Sequence, residues 1–129
     1  MNIQRAIQFL YPNVRYLFNG YEDYNYLMWP EGAGPKPTLD MLQAADLGAA
    51  QAARILKAKA EASTRIYANY PAYAQANASL GLYDSLPNTD PWFPANMKAG
   101  IQTVITAYQN AVITINALTD SASVDAFTW

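Results

Sequence analysis

The chain contains neither histidine nor cysteine. This absence excludes Ser-His-Asp triads, Cys-His pairs and most zinc sites, and it also excludes disulfide bonds. Charge is scarce as well, because 14% of the residues are charged whereas 52% are hydrophobic. So low a charge in so apolar a chain indicates that part of its surface meets a partner. The chemistry of this protein is therefore expected in apolar contact surface and not in reactive groups.

Positive charge is also scarce. The formal net charge is -2, so we expect no nucleic-acid footprint. One basic cluster exists, but it includes Glu61 and has no interleaved aromatic residues, which predicts a solvated helix face. Its members are Arg54, Lys57, Lys59 and Arg65. No apolar stretch approaches the roughly 20 residues that span a bilayer, and the first residues lack a signal-peptide pattern. We expect a protein without nucleic-acid or membrane partners, made and kept inside a cell.

The remaining candidates for chemistry are carboxylates. Glu22 and Asp23 are adjacent, and neighbours on a strand point to opposite faces, so we interpret them as a solvated turn. Capping of helix ends and loops explains the others, Asp84, Asp90 and Asp120. No glycine-rich phosphate loop is present. The sequence thus predicts no catalytic residue, no cofactor and no metal, and a protein that is not an enzyme.

Element patterns predict an α+β fold that is mainly α. Residues 1–30 form a small module, 31–37 a linker rich in proline and glycine, 38–120 a coiled-coil-like helical hairpin, and 121–129 a tail. In the module, Asn2 is a good N-cap for a short helix. The apolar face of that helix comprises Ile3, Ala6, Ile7 and Leu10. Pro12 ends the helix, because the residue before a proline avoids helical geometry.

Two aromatic segments, 14–18 and 24–29, favour a β-hairpin. A two-residue turn at Asn19-Gly20 would pair Phe18 with Tyr21. A five-residue loop would pair Phe18 with Tyr24 instead, and we prefer it because only apolar side chains then share one face. That face, expected to pack on the first helix, comprises Tyr16, Phe18, Tyr24, Tyr26 and Met28. The opposite face is expected to lack a cover and comprises Leu17, Leu27 and Trp29.

The hairpin of helices is predicted from two apolar stripes. Thr38 caps the first helix, whose stripe has nearly the 3.5-residue period of a coiled coil. The stripe runs through Leu42, Ala45, Ala49, Ala52, Leu56 and Ala60 and continues to Ser63, Tyr67 and Tyr70. A helix over 39–70 would be about 48 Å long, so we expect part of it to project or to pair, for example with a second copy.

Pro71 is expected to kink this helix or to begin a new one that stops at Gly81. A loop over 81–94 then leads to a final helix from about Ala95 to Leu118. The stripe of that helix comprises Met97, Ile101, Val104, Tyr108, Val112 and Ile115. Two striped helices that flank a turn-rich loop favour an antiparallel arrangement.

Aromatic residues outside the module carry two further predictions. Trp92 and Phe93 stand between prolines, so they either plug the open end of the helical hairpin or dock on a partner. Phe127 and Trp129 close a polar tail, and large rings there indicate that the tail is tied down, on its own core or on another protein.

Two stretches resemble known families. A helix ending in LYPN (10–13), Trp29-Pro30 and a P-x-P-T-x-x-x-L helix start (35–42) resemble the small XkdW-like proteins of phage tail modules. RIYANYPAYAQANASL (65–80) resembles a segment of phage tail fibre assembly chaperones. The matched positions are Trp29, Pro35, Pro37, Thr38, Leu42, Arg65, Ile66, Tyr70, Pro71, Tyr73, Gln75 and Asn77.

The resemblance implies a small helper, encoded beside a trimeric fibre, that binds the C-terminal part of the fibre during folding or stays on the virion. Its place would be the host cytoplasm during assembly or the virion tail, and its partner a fibre or baseplate protein. We predict partner contacts by Leu17, Leu27, Trp29, Tyr70, Tyr73, Trp92, Phe93, Phe127 and Trp129. Two alternatives stay open: a permanent structural component of the fibre or baseplate, and a ligand-binding or enzymatic domain, which would need a concave pocket.

Overall fold

The computed structural model describes all 129 residues. The helices are α1 (Ile3–Leu10), α2 (Leu39–Asn69), α3 (Ala72–Ser79), α4 (Pro94–Ala117) and α5 (Ser121–Ala126). Two short strands, β1 (Leu17–Phe18) and β2 (Leu27–Met28), pair in antiparallel fashion, and a 3-10 turn (Tyr24–Tyr26) precedes β2. The predicted class, α+β and mainly α, is confirmed.

The chain divides into two compact units. Residues 1–54 and 117–128 form the first unit, and residues 55–116 with Trp129 form the second. Because α2 begins in the first unit and ends in the second, it contributes one part to each. No helix is both long and apolar enough to cross a membrane.

The core of the first unit forms where α1 meets the start of α2. The Asn2 side chain caps α1 by accepting a hydrogen bond from the Arg5 backbone N–H at 2.9 Å, as predicted. The buried residues of this core are Ile3, Ala6, Ile7, Leu27, Leu42 and Ala45. The predicted apolar face of α1 is therefore confirmed except at Leu10, which is 38% exposed.

The register of the ribbon formed by β1 and β2 differs from both predicted registers. Leu17 lies opposite Met28 and Phe18 opposite Leu27, so the connection covers residues 19–26. Asp23 is the reason, because its carboxylate accepts a hydrogen bond from the Asn25 N–H and begins a 3-10 turn where a strand was expected. The Tyr24 hydroxyl then donates to the Pro37 carbonyl at 2.9 Å, which fixes this turn against the following segment.

The new register changes the two faces of the ribbon. Tyr16, Phe18 and Tyr24 pack against the core as predicted. The prediction was wrong for Tyr26 and Met28, which are exposed, and for Leu27 and Trp29, which pack into or against the core. The physical reason is the two-residue period of a strand, since an odd shift in register moves side chains to the opposite face.

Along α2 the predicted stripe is correct only at the start. Thr38 caps the helix through the Met41 N–H, and Leu42, Ala45 and Ala49 are buried. Further along, burial steps by four residues, so the buried face turns by about 40° around the helix axis at each step. The buried positions there are Ala50, Arg54, Ala58 and Ala62.

Two predictions fail because of this turn. Leu56 is 69% exposed instead of buried, and Ala52 and Ala60 are exposed with it. Arg54, expected on a solvated face, is only 6% exposed, whereas Lys57 and Lys59 are exposed as predicted.

In the second unit, the break at Pro71 is confirmed, since α2 ends at Asn69 and α3 begins at Ala72. The predicted stripe of α4 is also confirmed, with Met97 and Ile115 buried and the positions between them half-buried. Tyr70, which follows the end of α2, lies against Gly100 near the start of α4. Trp129 contacts both Glu61 of α2 and Tyr108 of α4. These contacts place the two helices antiparallel, as the helical hairpin requires.

The segment predicted as a tail contains a helix. The Asp120 carboxylate caps α5 by accepting from the Ser123 N–H at 2.8 Å, and the Ser123 hydroxyl also donates to it at 2.7 Å. These hydrogen bonds lower the pKa of Asp120. Val124 is fully buried, so the segment is part of the first unit and not a free extension.

Candidate protein-binding surface

The outer face of the ribbon exposes two apolar side chains together. Leu17 and Met28 are directly opposite across the strands, which places their Cβ atoms about 4.5–5.5 Å apart. Leu17 is 71% exposed and Met28 is 56% exposed. Side chains alternate between faces along each strand, so their neighbours Phe18 and Leu27 point to the core. The ribbon is thus an amphipathic two-strand element with one uncovered apolar face.

The structure separates the three residues that were predicted to share this face. Leu27 is 5% exposed and belongs to the core. Trp29 is half-buried, and its ring lies edge-on to Tyr11 with 5.1 Å between centroids. The indole N–H of Trp29 donates to the Gly34 carbonyl at 3.1 Å, so this side chain fixes the linker. Only Leu17 remains on the surface.

Met28 is a surface residue that the sequence interpretation missed. The signal that could have found it is Asp23, because an aspartate at this position favours a capped turn and so a longer connection. Counting the register from a connection that includes this turn places Met28 beside Leu17.

A second aromatic group lies around Trp92 in the second unit. The Tyr73 ring packs edge-on to Trp92, and the Tyr83 ring stacks on it, each with 5.8 Å between centroids. The Trp92 indole N–H donates to the Asn69 carbonyl at 3.2 Å, which satisfies a backbone group at the end of α2. Trp92 therefore has a structural role. Tyr73 is 60% exposed and forms the exposed part of this aromatic group.

Two other predicted contact residues also have structural partners. The Phe93 carbonyl accepts from the N–H groups of Asn96 and Met97 at the start of α4, and its side chain is half-buried. Tyr70 is half-buried against Gly100, and its carbonyl accepts from the Gln75 side chain at 2.7 Å. Among the residues predicted to contact a partner, only Trp92 has a ring in contact with the Tyr73 ring.

The closing residues are tied to their own chain. The Arg54 guanidinium donates to the Phe127 carbonyl at 2.8 Å and lies 5.6 Å from the Phe127 ring. In the second unit, the Arg65 guanidinium stacks 3.9 Å from the centre of the Trp129 ring and donates to the Trp129 carbonyl. The indole N–H of Trp129 donates to Glu61. These rings were predicted to be held either by the core of their own chain or by another protein. The structure shows them held by their own chain.

A buried carboxylate organises the first unit. Asp46 is 1% exposed and accepts from the Arg5 guanidinium at 2.7 Å and from the Asn2 backbone N–H at 3.1 Å. Burial acts to raise its pKa, but hydrogen bonds from Arg5, Ser121 and Asn2 outweigh burial, and the pKa is lowered. Arg5 also binds Asp125 at 2.9 Å. The group links α1, α2 and α5, which is a structural task.

The end of α3 presents two exposed leucines, of which the sequence interpretation placed Leu80 at the end of the helix and Leu82 in the following loop. The Leu82 N–H donates to the Asn77 carbonyl and the Gly81 N–H to the Ala78 carbonyl, the paired bonds of a Schellman motif. Gly81 has a φ of 77°, which a glycine adopts freely. Leu80 and Leu82 flank it and are 74% and 62% exposed. The glycine marks the turn in the sequence, but nothing in the sequence marks its leucines as exposed.

No group of three or more acidic side chains is placed to hold a metal ion. Comparison of the chain with models of protein families, with curated proteins and with solved structures finds no match. The fold and surface together define a mainly helical α+β protein with exposed large apolar side chains on the ribbon, on each of α1 to α4 and at the end of α3.

Proposed function

We propose that this chain is a non-enzymatic assembly factor that binds a phage tail fibre and promotes its folding or trimer assembly. The observation that carries the proposal is the outer face of the ribbon, where Leu17 and Met28 stand side by side and largely exposed. Contiguous exposed apolar surface favours protein contact, and this pair supplies such surface on the outer face of the ribbon. The resemblance of residues 10–42 and 65–80 to phage tail-module proteins and fibre assembly chaperones supplies the class of partner.

The mode of binding follows from the composition of the surface. Both side chains on the outer face are apolar, so contact with them releases water and requires neither nucleotide nor metal. Tyr73, Leu80 and Leu82 in the second unit add exposed apolar area of the same kind. A folding fibre exposes apolar segments before its chains trimerise, and these are the segments that such a surface would cover.

Co-expression with the fibre encoded beside this chain tests the proposal. We expect more soluble, trimeric fibre when the chain is present, and we expect that gain to disappear with the double variant Leu17→Glu, Met28→Glu. Gln8→Glu is the matched control, because it adds charge at an exposed position of the same unit. If the fibre is equally soluble and trimeric without this chain, the proposal is wrong.

Purified virions distinguish an assembly factor from a permanent component of the fibre or baseplate. A factor that acts only during assembly in the host cytoplasm is absent from virions. A component that stays attached is present in a fixed ratio to the fibre. Quantitative mass spectrometry of virions measures this ratio.

A further inference from the structure

The connection between β1 and β2 contains the single Asn-Gly pair of the chain, Asn19 and Gly20, and both residues are exposed. Asn19 directly follows β1, and its backbone N–H donates to the Tyr26 carbonyl at 2.9 Å, which anchors Asn19 at the end of the ribbon. Gly20 has a φ of 104°, which a glycine adopts freely. The pair therefore lies at a fixed point of the surface, with no side chain on the residue that follows the asparagine.

The side-chain amide of Asn19 and the backbone N–H of Gly20 make no hydrogen bond within the chain. A Cβ atom built on Gly20 would meet nothing within 4 Å, so the space beside this part of the backbone is open. An N–H that belongs to a helix or a ladder must first lose its hydrogen bond before its nitrogen can react. That cost is absent at Gly20.

Two nearby asparagines, Asn13 and Asn25, are also exposed but differ in the residue that follows. After Asn13, the Val14 N–H donates to a backbone carbonyl at 3.1 Å. After Asn25, the Tyr26 N–H donates to a backbone carbonyl at 3.0 Å. Both following residues also carry a side chain that crowds their own nitrogen, and Val14 is branched at Cβ. Exposure is thus common to the three asparagines, whereas an unencumbered N–H follows only Asn19 among them.

We propose that Asn19 is a site of spontaneous deamidation, in which the Gly20 backbone nitrogen attacks the side-chain carbonyl carbon of Asn19. The Gly20 nitrogen gives its proton to hydroxide, and a new C–N bond closes a succinimide ring. The side-chain nitrogen takes a proton from water and leaves as ammonia. Water then adds to either ring carbonyl and breaks its bond to the ring nitrogen, which yields an aspartate or an isoaspartate at position 19.

Either product changes the end of the ribbon. A carboxylate adds one negative charge to a chain whose formal net charge is -2. Isoaspartate also lengthens the main chain by one carbon, next to the hydrogen bond that Asn19 makes with Tyr26. Strands of two residues have little pairing with which to resist such a change. The reaction therefore alters the ribbon that carries Leu17 and Met28, and it does not depend on the proposed function.

The test incubates the purified full chain in mildly alkaline buffer and maps its asparagines by peptide mass spectrometry. We expect the amide at position 19 to become a carboxylate, and an isoaspartate methyltransferase to methylate part of the product. Asn13 and Asn25 should stay intact over the same time. Conversion in the folded chain should be no more than about tenfold slower than in guanidinium chloride, because an open loop needs little free energy to expose its groups.

Two variants show which side chain reacts. Asn19→Gln should abolish the signal, because the longer side chain closes a ring less readily. Asn13→Gln is the matched control, a change of the same kind at an exposed position of the same unit, and it should leave conversion at position 19 unchanged.

Three results would overturn the inference. If position 19 stays intact in the folded chain while the unfolded chain converts, the loop holds the Asn19 amide away from the Gly20 nitrogen. If Asn13, Asn19 and Asn25 convert equally, the free N–H of Gly20 makes no difference. If the conversion persists in Asn19→Gln, another residue reacts. Each of these results leaves the proposed function in place, since no binding partner enters the measurement.

Discussion

Gly100 lies inside α4, and the Tyr70 side chain occupies the space that a larger residue would need. A Cβ atom built on Gly100 would lie 2.0 Å from the Tyr70 hydroxyl oxygen, 2.7 Å from Cζ and 3.0 Å from Cε2. All three atoms belong to the rigid end of the ring, so the ring as a whole must move. Gly100→Ala is therefore a direct probe of the contact between the end of α2 and the start of α4.

Two effects of opposite sign set the magnitude. Alanine in a helix interior is more favourable than glycine by about 0.5–1 kcal/mol. Overpacking a filled site costs about 1–3 kcal/mol. The clash at 2.0 Å is severe enough for overpacking to win. We expect Gly100→Ala to lower the free energy of unfolding by about 0.5–2 kcal/mol.

Gly48, in the interior of α2, provides the matched control. A Cβ atom at Gly48 would meet the Phe9 ring at 3.8 Å, which is an ordinary van der Waals distance. Gly48→Ala should therefore raise the free energy of unfolding by about 0.5–1 kcal/mol. Urea titration followed by circular dichroism at 222 nm measures both variants, with unchanged slopes showing that the unfolded states are comparable.

Removing the Tyr70 ring should relieve the overpacking that Gly100→Ala causes. In a Tyr70→Ala background, Gly100→Ala should become stabilising, by about the same amount as Gly48→Ala. If Gly100→Ala instead raises the urea midpoint of the unaltered protein as much as Gly48→Ala does, the Tyr70 contact does not exist and the reasoning is refuted.

Three further predictions concern the first unit and the end of α3. Leu27→Ala should lower the free energy of unfolding by about 2–5 kcal/mol, because it leaves a cavity in the core. Leu17→Ala should change it by no more than about 0.5 kcal/mol, because Leu17 is on the surface. Equal losses in urea unfolding would contradict the observed register. Asp46→Asn should cost about 1–3 kcal/mol, because Arg5 loses its ionised buried acceptor but keeps Asp125. The pKa of Asp46 is lower in the folded protein than in the unfolded chain, where it is near 4. The stabilisation by Asp46 is therefore complete above pH 4 and is lost as the pH falls through the folded pKa. If the Asp46→Asn variant loses stability equally over this pH range, another group causes the loss. Gly81→Ala should cost about 1–2 kcal/mol, because φ of 77° strains a residue with a Cβ, and unchanged thermal unfolding would contradict it.

The helices could be predicted because their signals are local. Asn2, Thr38, Pro71 and Gly81 act within one turn of their own positions, through caps, a missing N–H or a positive φ. Apolar spacing along α4 predicted its buried face correctly as well. Such signals do not depend on what another part of the chain does.

The ribbon could not be predicted in full, because its register depends on distant groups. The hydroxyl of Tyr24 is held by the Pro37 carbonyl, and Leu27 fits into a core that α1 and α2 build. A strand segment of two residues carries too little pattern to choose between faces by itself. The candidate site changed accordingly, from Leu17, Leu27 and Trp29 to Leu17 and Met28.

The sequence by itself determined the class of fold, the helix ends and the lack of histidine and cysteine chemistry, since composition, capping and periodicity are properties of short segments. Tertiary structure decided which apolar residues remain exposed, because burial depends on how the face of α2 turns as it packs. It placed Arg54 inside and Leu56 outside, and it held Trp129 against Arg65. It also brought α3 and the first turns of α4 together around a shared groove, although a loop separates the two helices in the chain.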